Sequence, residues 1–223
     1  MTLIGKMKDY NSIIFDFDGT LFDTMFMWQQ LGIDYLCERG ITPNNDIVEA
    51  CAKLTLPECA EYFIAEYNLP YSNATICADL ITMSEGFYCN VAMPKPFVPQ
   101  FLQEQADQGV KMCIATATER PLVEAALKRC KLSEYFCDII TCTQVGKSKR
   151  YPDIYNIALT TLNACRLDTI VIEDTFHAVQ TAKNDGYFVV AVQDNYNDHS
   201  KKETQDLCDV YIDSFQDLLK KQV

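Results

Sequence analysis

Apolar positions fall into two textures along this chain. Between residues 23 and 92 they recur at helical spacing, which predicts helices from residue 23 or 24 to about 39, over 45–54, over 56–67 and over 73–89. Gly40 closes the first, and Pro57 sits near the start of the third, where its missing N–H costs nothing. Elsewhere short apolar runs alternate with helical stretches. The runs predict strands over 12–17, 110–115, 139–142, 169–173, 187–192 and 209–212, and the stretches predict helices over 99–108, 119–130, 152–163, 178–185 and 214–221. Such alternation defines an α/β chain with a parallel sheet and helices on both faces. The all-helical block interrupts it after the first strand and reads as a cap inserted over the carboxyl edge of the sheet. The expected division is a core of residues 1–22 and 94–223 and a cap of residues 23–93, with Pro94, Pro96 and Pro99 marking a linker.

Carboxylates cluster where the strands end. The first run stops at Asp16-Phe17-Asp18-Gly19-Thr20-Leu21. In open α/β sheets that edge is where ligands bind. Two aspartates on one side of a continuing strand would repel each other unless a cation or a shared proton intervened, which points to a hard metal with oxygen ligands. The run 110–115 leads into Thr116-Ala117-Thr118, whose hydroxyls and N–H groups suit an anion, although a helix cap by Thr116 or Thr118 is the simpler role for either alone. Lys147, Lys149 and Arg150 precede Pro152-Asp153, and the run 169–172 ends at Glu173-Asp174-Thr175.

Composition narrows the function. The chain has 223 residues, 48% hydrophobic and 22% charged, with a formal net charge of -12. That charge opposes nucleic-acid and anionic-membrane binding, so an anionic substrate needs local help from a metal or a lysine. No run of about 18 apolar residues suggests a membrane span, and no signal peptide is expected at the start. The 11 cysteines form no Cys-x-x-Cys pair and the histidines are only His177 and His199, so no zinc site is expected. Scattered thiols in apolar patterns fit reduced side chains and a cytoplasmic location.

Taken in order, these stretches resemble the four motifs of the haloacid-dehalogenase superfamily: Asp-x-Asp-Gly-Thr at Asp16–Thr20, a Ser/Thr at Thr116, Lys-x-x-Pro-Asp at Lys149 to Asp153, and Glu-Asp-Ser/Thr at Glu173 to Thr175. The resemblance covers about residues 10–220 and is nearest the subgroup with a small helical cap, which includes β-phosphoglucomutase and phosphoglycolate phosphatase. It implies a Rossmann-like core and a Mg2+-dependent phosphatase acting on a small phosphorylated metabolite. By that likeness Asp16 is the nucleophile, Asp18 the general acid and base, and Thr116 and Lys149 clamp the phosphoryl oxygens. Asp16, Asp18 (through its backbone carbonyl), Glu173 and Asp174 hold the metal. Gly19, Thr20 and Ala117 would lie against the phosphate, and Trp28 and Lys53 are candidate cap contacts, although a stripe such as that holding Trp28 is more often core packing. A glycine frequent after the fourth motif is replaced here by Phe176, His177 and Ala178. A phosphosugar mutase is the first alternative, disfavoured because residues 24–28 hold no histidine and residues 52–57 no arginine. A non-catalytic binding module is the second. The expected assembly is a monomer or weak dimer.

Overall fold

The structure, a computed structural model, describes residues 10–51 and 54–219. The chain starts with strand β1 (Ser12–Phe15), then β2 (Phe22–Asp23) and helices α1 (Met25–Cys37), α2 (Ile47–Cys51), α3 (Leu56–Tyr67) and α4 (Asn73–Asn90). β3 (Met93–Pro94) follows, then α5 (Val98–Asp107), β4 (Lys111–Thr116), α6 (Arg120–Arg129), β5 (Ile139–Thr141), α7 (Cys142–Val145) and α8 (Asp153–Leu162). The chain continues through β6 (Thr169–Glu173), α9 (Phe176–Asn184), β7 (Phe188–Val192), α10 (Lys201–Leu207) and β8 (Val210–Ile212).

Six strands make one parallel sheet in the order β5-β4-β1-β6-β7-β8. β1 is completely buried, because alternate side chains enter two separate cores. Ile13 and Phe15 pack with Ile114, Ile172 and Val190 on one face, and Ile14 packs with Cys113, Val171, Val189 and Tyr155 on the other. Phe15 also meets the edges of Phe101 and Phe136. The sheet therefore has no solvent face at its centre, as parallel sheets require. The connection from β1 runs to β4 on one side and that from β6 runs to β7 on the other, so the chain diverges between β1 and β6 and opens a crevice at their carboxyl ends. Phe15 stands opposite both Ile114 and Ile172, which brings Asp16, Thr116 and Glu173 out near one level.

The four helices between β2 and β3 build their own apolar cluster around Leu31, Tyr35, Phe63, Ile76 and Leu80. α3 begins at a capping box in which Glu58 N donates to Thr55 Oγ1 at 3.4 Å and Thr55 N donates to Glu58 Oε2 at 2.7 Å. α4 buries Ile76, Leu80, Ser84 and Tyr88, one residue every four, the spacing of a helix stripe. Chain entry and exit lie side by side: Phe22 pairs with Pro94 and Asp23 with Met93 in an antiparallel ribbon.

Several sequence expectations need correction. The first strand stops at Phe15 rather than 17, so alternation does not put the Asp16 and Asp18 carboxylates on one side. Among the described residues, the 45–54 helix covers Ile47–Cys51, and Leu54 lies outside it. No strand was expected near the prolines, yet β3 lies there, made by pairing rather than propensity. α7 and α10 are additional helices, and the closing helix is a 3-10 turn, Phe215–Leu218, among the described residues.

Candidate active site

Asp16 is the first residue after β1, held by its N–H to the Ile172 carbonyl at 2.9 Å. Gly19 then turns the chain with φ +75, and a Cβ there would lie 2.3 Å from Asp174 Oδ2. Only glycine allows both this backbone and this approach. Thr20 Oγ1 donates to Asp174 Oδ1 at 3.2 Å, tying the first loop to the end of β6.

Four charged side chains meet in the crevice nearly out of water: Asp16 is 7% exposed, Lys149 6%, Glu173 0% and Asp174 4%. Lys149 Nζ donates to Asp16 Oδ1 and, at 2.6 Å, to Glu173 Oε1, which also accepts from Tyr155 OH at 2.8 Å. Lys149 reaches inward because Gly146, left-handed at φ +73, ends α7 and the chain turns again before α8. Its neighbours have other roles: Lys147 pairs with Asp153 at 2.6 Å, and Arg150 is exposed.

Burial works against the Lys149 ammonium, but the charges of Asp16 and Glu173 outweigh it and hold the group above the ordinary lysine range. Burial pushes Glu173 up to about 7, with Lys149 opposing and Asp16 adding repulsion. Burial and the nearby Asp16 and Glu173 charges push Asp174 well above the usual carboxylate range.

The Asp18 carboxylate faces elsewhere. Its Oδ1 accepts from Thr24 Oγ1 at 2.6 Å and from Tyr88 OH at 2.5 Å, and its Oδ2 from Thr118 Oγ1 at 2.5 Å. Trp28 Nε1 donates to Tyr88 OH at 2.7 Å, so a hydrogen-bonded chain runs from α1 through α4 to Asp18. Burial raises the Asp18 carboxyl above its ordinary range despite these donors.

Thr116 ends β4, and its Oγ1 accepts from Thr118 N at 3.0 Å. Thr118 is not a helix cap: Glu119 holds that position, and the Thr118 hydroxyl turns to Asp18. Asp16, Asp18, Trp28, Thr116, Ala117 and Lys149 line one cavity of about 220 Å³. Trp28 both packs against the core and faces this cavity. Gly19 and Thr20 lie behind it against Asp174, and Lys53 lies outside the described residues. Sequence reasoning missed Tyr88, Thr24 and Tyr155. Tyr88 had a signal, a polar-tipped residue ending the buried stripe of α4.

A divalent cation fits this donor set. Asp16, Glu173 and Asp174 can each offer an oxygen within 4.8 Å of the others. Glu173 Oε2 is buried without a hydrogen-bond partner. When all three carboxylates are ionised, as ligands to a cation are, they exceed the one ammonium by two negative charges, the charge a hard divalent ion balances.

Acids and a lysine gathered at the carboxyl edge of a parallel sheet, beneath a layer of helices, define a capped hydrolase with a Rossmann-like core. The chain belongs to the haloacid dehalogenase-like hydrolase family, whose description matches residues 13–192. It is 24% identical to protein CbbY of Cereibacter sphaeroides over 225 residues, covering 93% of each chain. It is 26% identical to pyrophosphatase PpaX of Bacillus velezensis over 195 residues, covering 80% of this chain and 81% of the relative. The crystal structure of CbbY from Rhodobacter sphaeroides in complex with phosphate superposes with a TM-score of 0.83 at 23% identity, covering 94% of this chain and 96% of that one.

Proposed function

We propose that this chain is a Mg2+-dependent phosphatase that hydrolyses a small phosphorylated metabolite through an aspartyl-phosphate on Asp16. One observation carries the reading: the Asp16 carboxylate stands at the end of β1 with Lys149 against it and Glu173 and Asp174 beside it. Lys149 pairs with the Asp16 carboxylate and orients it for attack on phosphorus. Asp18, with a raised pKa, is the member of the pair suited to carry a proton to the leaving oxygen and then to accept one from water. Thr116 and Lys149 hold the phosphoryl oxygens as charge spreads over them. Asp16, Glu173, Asp174 and the Asp18 carbonyl would hold Mg2+, which when bound screens the approach of one anion to another. The division into residues 1–22 with 94–223 and an inserted 23–93 belongs to this reading, as do a cytoplasmic location and a monomer or weak dimer.

The test is phosphate release from a panel of phosphomonoesters, with Mg2+ and after chelation. Release is expected with Mg2+ alone, and Asp16→Asn should abolish it while leaving the circular dichroism spectrum unchanged. Undiminished release after chelation removes the metal from the mechanism, and substantial turnover by Asp16→Asn moves the nucleophile elsewhere. Phosphorus NMR with β-glucose 1-phosphate separates the mutase alternative, because isomer exchange outpacing phosphate release would favour it.

A further inference from the structure

The cavity above Asp16 does not end at the catalytic groups. It continues between the helices of the cap, where its wall changes character. Leu31 from α1, Ile47 and Val48 from α2, Leu56 and Phe63 from α3 and Leu80 from α4 surround it. Leu31, Ile47, Phe63 and Leu80 also belong to the apolar cluster of these helices, so the space reaches into that cluster. Two thiols, Cys51 and Cys59, join this part of the wall, with Cys59 Sγ donating to the Cys51 carbonyl at 3.7 Å.

Among the described residues, the carboxylates of the wall and Lys149 lie at the other end. Among the described residues, the charged members of the wall are Asp16, Asp18, Lys149 and Arg150. Lys149 is already taken by Asp16 and Glu173, and Arg150 is exposed, its charge acting on Glu58. The Thr55 hydroxyl is committed to the capping box of α3. Gln29, His177 and Tyr196 add neutral polar edges. A sugar or a second phosphate pushed into the helical end would lose its water and find few replacements, which is costly. A hydrocarbon group would gain by leaving water. Size agrees: an apolar cavity of about 150 Å³ takes up benzene, and this one is larger by the room a phosphoryl group needs.

We propose that the substrate is the phosphate monoester of an apolar alcohol, with a short alkyl or aryl leaving group lodged in the helical end of this cavity and its phosphoryl group at Asp16. The inference rests on the phosphatase reading and names its substrate class.

The test compares kcat/KM for hexyl phosphate and benzyl phosphate with that for glycerol 1-phosphate and glucose 6-phosphate, all with Mg2+. Acetyl phosphate, too small to reach the cap, reports the core chemistry alone. The apolar esters are expected to lead by at least about a hundredfold. Val48→Phe, which fills the gap, and Cys59→Asp, which charges it, should each lower the ratio of hexyl to acetyl phosphate turnover, and either suffices if the other fails to fold. Equal or better use of the polyol phosphates, with acetyl phosphate cleaved, overturns the inference and leaves the phosphatase reading intact. If nothing is cleaved, acetyl phosphate included, the phosphatase reading falls, and binding decides the cavity. Trp28, the single tryptophan, lines it, so its fluorescence in Asp16→Asn can be titrated. Tighter binding of hexyl than glycerol phosphate supports the apolar site, and equal binding overturns it.

Discussion

At the scale of single residues, the site is governed by how each buried polar atom is satisfied. Tyr88 serves two partners, giving its proton to Asp18 and accepting one from Trp28. Tyr88→Phe leaves both without it, so a loss of about 1–3 kcal/mol is expected in urea denaturation. In the proposed reaction kcat should fall by about tenfold with KM little changed, since the hydroxyl positions Asp18 rather than binding substrate. His177 offers a pH test. Burial, with the charges of Lys149 and Arg150, lowers its pKa from 6.5 to about 4. Between those values the unfolded chain takes up a proton that the folded chain refuses, so stability falls as pH drops from 6.5 to 4 and the loss levels off below. The full effect is about 3 kcal/mol. His177→Asn should remove that part of the slope, and an unchanged difference between the two proteins in urea melts at pH 7 and pH 4.5 would show that the imidazole does not stay neutral when folded.

Helices and strands were legible to different degrees, for physical reasons. The run 169–173 is a strand as expected, because it is apolar, β-branched and buried on both faces. The α3 boundaries also coincide with the expectation, since Thr55, Pro57 and Glu58 write a helix start into the sequence. Thr55→Ala removes that cap and should lower stability by about 1 kcal/mol in a thermal melt. α10 escaped notice because Lys201–Leu207 is polar and buries only Thr204. β2 and β3 escaped because two residues carry no periodicity, and only their pairing makes them strands. The four motif segments were visible one by one, whereas the assembly of Tyr88, Thr24 and Thr118 around Asp18 was not, since it depends on how far-separated segments meet. Thr118 shows the limit well: its position before a helix suggested a cap, and the fold gives its hydroxyl to a carboxylate from another loop.

Across the whole molecule, the balance of charge in the crevice predicts a response to metal that does not depend on turnover. Mg2+ that binds only the folded chain should raise Tm by roughly 5 to 10 °C at a hundred times its dissociation constant. Asp174→Asn should shrink that shift, and calorimetry with and without chelator would show it. No helix among the described residues is long and apolar enough to cross a membrane. The ribbon of β2 and β3 has a mechanical meaning of its own. The chain enters and leaves the four helices through two adjacent strands of two residues each, so both attachments sit on one edge like the leaves of a single hinge. Any outward swing of the helices about that edge must carry Tyr88 away from Asp18 as it uncovers the cavity. Admission of a substrate and arming of Asp18, the proton donor of the proposed reaction, are then two readings of one angle.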